Sequence, residues 1–377
     1  MSKIRVAVFF GGRSPEHDVS VVSGLQVLGA VDPNKYDAFP VYVAQDGRFL
    51  TGDVLRERSN YMLSGASEAH CVEVTPDVKA DKIGRLIPKK TGFFGKPKAI
   101  EFDVALPVFH GLYGEDGHVQ GLFEMMGVPY TGSRVMASSI LMDKVATKWI
   151  LHDLDIPHLP YAVIERPDSG YFISQDDLKK TLGKLKFPLI LKPVHLGSSI
   201  GVAKVNDLEE LSACLPAVFE YDDSAIVEPF VQNLVEYNVA VSKIGGTVRT
   251  SAIERPKATE ELLDFKQKYL SGGDNKSGNK LGGSKSAGQI SEGMLSLTRE
   301  LNPELKPKQE EQIRAWAETM FSALNGSGAP RIDYICDGKS GEIWMNEVNP
   351  IPGSYGYFLW EAASDPLLFS ELVSGLI

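Results

Sequence analysis

The chain has 377 residues, 43% hydrophobic and 23% charged, which suits a soluble globular protein too long for one typical core and divided into two or three domains. Its formal net charge of -10 leaves no global positive field to steer a polyanion, which excludes a general nucleic-acid or membrane-surface binder but leaves room for a local basic pocket. Three widely spaced cysteines with no CxxC pair argue against a disulfide framework or a zinc site, and the lack of a cleavable leader or bilayer-spanning run predicts a cytoplasmic protein.

Residues 4–10 form a continuous apolar run ending in Gly11 and Gly12, the pattern of a buried parallel strand entering a glycine turn, with a helix beginning near Val19. The turn reads GGxxxE and not GxGxxG, so a dinucleotide-binding dehydrogenase is disfavoured. Residues 39–43 and 104–109 predict further strands of the same open α/β sheet, and the mixed stretch 75–98 predicts surface hairpins or loops. Beyond residue 109 come His110, Glu115 and Asp116, polar groups at the carboxyl end of a parallel strand, where open sheets place ligands. The plain alternative is that Glu115 or Asp116 caps the next helix. Lys144 falls in the helix after Thr131, Gly132 and Ser133, where a lone lysine belongs by default to a solvated face.

Residues 187–192, FPLILK, predict a strand ending in cationic Lys192, followed by a turn with Gly197, Ser198 and Ser199 and a second strand at 202–205. Such a turn can fold over a polyphosphate with its backbone N–H groups while Lys192 supplies charge; a plain hairpin is the alternative, and the Walker pattern is absent. Strands at 225–230 and 235–241 carry Glu228 and Glu236. The Gly-, Ser-, Lys- and Asn-rich run 271–288 buries too little apolar surface to offset chain entropy, and reads equally as a lid or a disordered insertion. Residues 308–324 have helical apolar spacing, and Phe369, Leu372, Val373 and Leu376 predict a short final helix. Between these helices, residues 331–353 predict two antiparallel strands joined at 338–341, with Asp333 opposite Glu347 and Asn349. Three hard oxygen donors there suit Mg²⁺ completed by phosphate oxygens and water. An acidic hairpin on a solvated face is weakened by neighbouring Ile332, Tyr334, Ile343 and Met345, because unpaired carboxylates are costly beside a core.

In order along the chain, GGRSPEHDVS, HGLYGEDGxxQG, YTGSxxMASSxxMDK, LKPxxLGSSIGV, DFKQKY, RIDY and NEVNPxPG resemble the motifs of the D-alanine:D-alanine ligases of the ATP-grasp superfamily, over residues 6–353. The resemblance implies an α/β fold, α+β in its ATP-grasp part. It implies an N-terminal open parallel sheet in residues 1–133, a central subdomain in 134–228, and a C-terminal subdomain in 229–377 with a mobile loop at 264–292. It further implies ATP and two Mg²⁺, with Mn²⁺ as a substitute, and phosphorylation of one amino acid to an acylphosphate that the amine of a second attacks. Lys144 and Lys192 match the phosphate-binding lysines, with Ser198 and Ser199 in the phosphate loop. Glu228, Phe230 and Val231 match the adenine hinge and Glu236 the ribose position. Asp333, Glu347 and Asn349 match the metal ligands. Glu16 matches the carboxylate that grips the first ammonium, and His110 a substrate-site histidine. Arg331 and the backbone of Gly353 match the groups that stabilise the tetrahedral intermediate, and Lys268 and Tyr269 match the closing loop. Family members suggest a homodimer with small amino-acid substrates and neither nucleic acid nor membrane as partner. Bringing a phosphoryl group to a carboxylate joins two anions, so cations at Lys144, Lys192, Lys268 and Arg331 are what such chemistry needs.

One segment departs from the pattern. Phe358 stands where the family carries a serine that helps hold the second carboxylate, and an apolar ring cannot donate to one; Ser354, Tyr355 and Tyr357 are candidate replacements. Tyr269 resembles the dipeptide-forming members, which favours an amine acceptor. The leading expectation is D-alanyl-D-alanine formation for peptidoglycan. The same mechanism with another acceptor comes second, and a non-catalytic nucleotide-binding protein third.

Overall fold

The computed structural model describes residues 3–61, 70–79, 82–89, 98–256 and 299–377. Lys268, Tyr269 and the stretches 264–292 and 271–288 lie outside them. The first apolar run is strand β1 (Ile4–Gly11), followed by α1 (His17–Ala30) and β2 (Tyr36–Val43). Strands β3 (Phe49–Thr51), β4 (Val72–Pro76), β5 (Gly84–Pro88), β6 (Ile100–Phe102) and β7 (Val104–Pro107) complete a seven-stranded sheet in the order β6-β5-β4-β3-β2-β1-β7. Its core, β2-β1-β7, is parallel, and β3 to β6 extend it antiparallel, so the stretch 75–98 contributes strands to the sheet. Val6, Val8 and Phe10 face α1 while Ala7 and Phe9 face Phe102 and Phe123, which is why β1 is apolar without alternation.

Helices α2 (His118–Met126), α3 (Val135–Met142) and α4 (Lys144–Asp153) lead to a four-stranded antiparallel sheet, β10-β9-β11-β8. It is built from β8 (Ala162–Glu165), α5 (Gln175–Leu182), β9 (Leu189–Pro193), β10 (Ala203–Val205), α6 (Leu208–Phe219) and β11 (Ser224–Pro229). Helices α5 and α6 bury one face of this sheet through Leu178, Leu182, Leu211, Leu215 and Phe219. Strands β12 (Leu234–Ser242), β13 (Arg249–Pro256), β14 (Arg299–Leu301), β15 (Arg331–Asp337) and β16 (Ile343–Asn349) form a five-stranded antiparallel sheet, β14-β13-β12-β15-β16. It is covered by α7 (Pro307–Ala323), and α8 (Tyr357–Glu361) and α9 (Phe369–Leu376) return to pack on α1 and the first sheet. Ala137, Leu141 and Leu151 of α3 and α4 join the core of the five-stranded sheet, across the boundary expected between residues 228 and 229. Among the described residues no helix is long and apolar enough to cross a membrane.

Candidate active site

Alternation, shifted by one residue at a bulge in β16, assigns the faces of the last sheet. Val239, Ile332, Tyr334 and Met345 turn toward α7, leaving Asn238, Asp333 and Glu347 on the opposite face. Register pairs Glu254 with Asn238, Asn238 with Asp333 and Asp333 with Glu347, so one polar row crosses four strands. Arg331 grips Asp333 through two parallel bonds of 2.7 Å, and Asn349 Nδ2 donates to Asp333 Oδ2 at 3.0 Å. Burial raises the Asp333 carboxyl against the pull of Arg331, and Glu347 opposite pushes it the same way. Two facing carboxylates beside an amide oxygen are hard donors whose repulsion a divalent cation would relieve, so the residues fit Mg²⁺. Among the described residues no three His, Cys, Asp or Glu side chains form a metal cage, and phosphate oxygens and water would have to complete the coordination.

A register shift between Asp333 and Tyr334 turns Asn346 toward the second sheet. Its Oδ1 accepts from Lys192 Nζ at 3.1 Å, and Lys192 lies 2.7 Å from Glu228 Oε2. Simple alternation would set Asn346 with buried Val348, so sequence reasoning missed it. Lys192 on β9 and Glu228 on β11 are diagonal neighbours, which places both side chains on one face.

Lys144 opens a new helix and does not continue the one after Ser133. The chain breaks at Asp143, whose carboxylate accepts from Val145 N and Ala146 N at 2.8 and 2.9 Å and so caps α4, with Lys144 as its first residue. The lysine is not on a solvated face either: its Nζ donates to Leu196 O at 2.5 Å and lies 3.9 Å from Glu347. Lys144, Lys192, Ser199, Glu228, Phe230, Val231, Glu236 and Glu347 wall a cleft of about 260 Å³ between the second and third sheets. Lys204 Nζ sits 3.8 Å from the centre of the Phe230 ring.

The turn after β9 holds Ser198 and Ser199 at φ of 50° and 55°, a left-handed conformation that costs on the order of 1–3 kcal/mol per non-glycine residue and persists only where the surroundings impose it. Ser199 faces the cleft, and the Ser198 hydroxyl donates to Glu16 Oε1. The Glu16 carboxylate lies against Gly111, where a Cβ would collide with it, and close to Gly197. Burial raises its carboxyl, opposed by Ser198 and Lys144.

His110 Nε2 lies 2.9 Å from Ser23 Oγ, and burial lowers the imidazole to about 4, which keeps it neutral near pH 7. Ser354 N donates to the same Ser23 Oγ at 3.2 Å, and its hydroxyl bonds Gln26. Glu115 is not a helix cap: its two oxygens accept from Gly111 N at 2.7 Å and Ile351 N at 2.8 Å, clamping the His110 loop to the turn before Gly353, and burial pushes its carboxyl up to about 8. Asp116 does bond the backbone at the start of α2, through His118 N.

Two expected substrate groups are placed elsewhere. Tyr355 is buried with its hydroxyl on Pro107 O at 2.6 Å, and the half-buried Tyr357 ring stacks on Phe369 at 4.5 Å, because the 353–356 turn carries Tyr355 into the core under α1 and lays Tyr357 against it. Phe358 packs beneath Arg299, whose guanidinium carbon is 4.1 Å from the ring centre and whose Nη1 reaches Glu254 at 2.9 Å.

Comparison with known proteins matches residues 5–133 to the family described as D-ala D-ala ligase N-terminus, and residues 150–286 and 295–377 to D-ala D-ala ligase C-terminus. The chain is 34% identical over 374 residues to the D-alanine--D-alanine ligase of Thermosipho africanus, covering 99% of this chain and 92% of the relative. It is 33% identical over 394 residues to that of Clostridium acetobutylicum, covering 100% and 97%. The VanG D-Ala:D-Ser ligase of Enterococcus faecalis superposes with a TM-score of 0.73 at 25% identity, covering 100% of this chain and 98% of that one. D-alanyl-alanine synthetase A of Vibrio cholerae gives 0.75 at 23% identity, covering 100% and 99%, a likeness of fold alone. The chain belongs to the D-alanine:D-alanine ligase family of the ATP-grasp superfamily and is an ATP-dependent ligase.

Proposed function

We propose that this protein joins two molecules of D-alanine into D-alanyl-D-alanine for peptidoglycan. The observation that carries the reading is the meeting of Lys144 and Lys192 with Glu347, the strand partner of Asp333, across one cleft between two sheets, in a chain 34% identical to a D-alanine--D-alanine ligase. In this reading the two sheets, within 134–228 and 229–377, clasp ATP, with Phe230, Val231 and Glu236 around the nucleoside. Lys144, Lys192 and the Ser198–Ser199 turn face the phosphates. Asp333, Glu347 and Asn349 hold two Mg²⁺, which screen the phosphate charge, or Mn²⁺ in their place. Glu16 receives the first ammonium, while Arg331 and the Gly353 backbone face the carboxyl carbon where an acylphosphate forms and is attacked. His110 and Ser354 line the substrate end. The assembly is a cytoplasmic homodimer.

A second reading, the same mechanism with another acceptor, is favoured by Phe358 and by the likeness to a D-Ala:D-Ser ligase. The test is ADP release with Mg·ATP and D-alanine, followed by product masses over a panel of D-alanine, D-serine and hydroxy acids. D-alanyl-D-alanine as dominant product is expected. A mixed peptide or ester as dominant product replaces the first reading with the second, and no stimulation of ATP turnover by any panel member removes both.

A further inference from the structure

Lys148 lies one helical turn beyond Lys144 on α4, so both point toward the second sheet. Its side chain is only 2% exposed, and its Nζ stands 2.5 Å from Glu228 Oε1. The other oxygen of Glu228 stands 2.7 Å from Lys192 Nζ. Glu228 and Lys192 wall the cleft, whereas Lys148 reaches the carboxylate from behind, with the Tyr161 ring 5.6 Å from its Nζ. One carboxylate is therefore shared by two ammonium groups, one facing the cleft and one buried.

Paired with Lys192 alone, Glu228 would cancel the charge of a lysine that faces the cleft and would be drawn toward it. With Lys148 on its other oxygen, the three groups carry one net positive charge and the carboxylate is held between two anchors. An ionised carboxylate is an acceptor only. At the wall of a nucleotide cleft it suits the exocyclic amine of adenine and repels the carbonyl that guanine presents at the same ring position. Burial pushes the Glu228 carboxyl up, but the two ammonium groups outweigh it and hold it down at about 2, so it remains an acceptor throughout the working range.

We propose that Lys148 is a positioning residue for nucleotide choice: it fixes Glu228 from behind, which selects adenine over guanine and leaves the charge of Lys192 available to phosphate. The proposal rests on the reading of the cleft as the ATP site. It is tested by calorimetric titration of the whole protein with the non-hydrolysable analogues of ATP and GTP, in Mg²⁺, for wild type, Lys148→Met, Glu228→Gln and the double variant, with thermal unfolding as a check on folding. Lys148→Met is expected to weaken both analogues, because Glu228 then neutralises Lys192, and to lower the ratio of ATP-analogue to GTP-analogue affinity by ~10–100-fold, the scale of a charge-assisted hydrogen bond. In Glu228→Gln the added Lys148→Met change should then alter the ratio of the two affinities little, because both act through one carboxylate. A folded Lys148→Met protein with the wild-type ratio, or with both analogues weakened equally, overturns the proposal. If Lys148→Met does not fold, the double variant is compared with Glu228→Gln, and a further loss of discrimination overturns it. Wild-type protein that binds neither analogue overturns the ligase reading and this one together, whereas wild type that binds the ATP analogue leaves the two separable.

Discussion

His195 shows how much a single side chain in the phosphate turn depends on charge. Its Nδ1 lies 2.9 Å from Asp222 Oδ1, its Nε2 3.5 Å from Asp143 Oδ2, and its backbone N donates to Asp222 Oδ2 at 2.7 Å. The two carboxylates raise the imidazole from 6.5 to about 10, so it ties the cap of α4 to the phosphate turn as a cation. Because the folded-state value is raised, its stabilisation is complete below about 6.5, declines as pH rises, and is gone above about 10. The melting temperature of the wild type should therefore fall more steeply between pH 7 and 10 than that of His195→Asn; parallel profiles would show that the imidazole carries no such charge in solution. His195 was passed over in the sequence because its partners are 27 and 52 residues away. Lys148 had a local signal, four residues after Lys144, which is one turn of a helix. Asn346 had none, since a register shift re-aims it.

Elements obey a simpler rule, the meeting of apolar faces. Helix α1 packs on β1 at Gly24, where a Cβ would overlap the Phe10 ring. Gly24→Ala should cost about 1–3 kcal/mol in urea unfolding, as overpacking of a tight core does. Gly29 of the same helix has nothing within 4 Å of its would-be Cβ, and Gly29→Ala should be neutral or stabilising by up to ~1 kcal/mol. Equal effects at the two sites would mean that helix propensity, and not packing, decides. The closing hairpin was legible in detail, down to Asp333 opposite Glu347, because alternation and a short turn specify register locally. The break at Asp143 was not, because the apolar pattern of 135–151 runs through it and only a cap interrupts the helix. The antiparallel extension of the first sheet was equally hidden, since short edge strands of mixed composition carry little periodicity.

At the scale of the molecule, the site is a set of contacts between sheets. Lys192 reaches Asn346 across 154 residues, Ser198 reaches Glu16 across 182, and Glu115 reaches Ile351 across 236. A ligand filling the cleft would bridge the second and third sheets, so a Mg·ATP analogue at about 100 times its Kd should stabilise the fold by ~2.7 kcal/mol. EDTA should remove most of that shift in melting temperature; an undiminished shift would count against metal at Asp333 and Glu347. The sequence by itself determined the chemistry available, because lysines, carboxylates and glycine turns recur at spacings that reflect local backbone geometry, and it determined the apolar faces for the same reason. Only the tertiary structure decided which of those groups meet. Tyr355 went to the core and Tyr357 against it, Glu115 became a clamp between two distant loops, and Lys148 reached Glu228 from behind, since long-range packing and burial, and not spacing along the chain, set those distances.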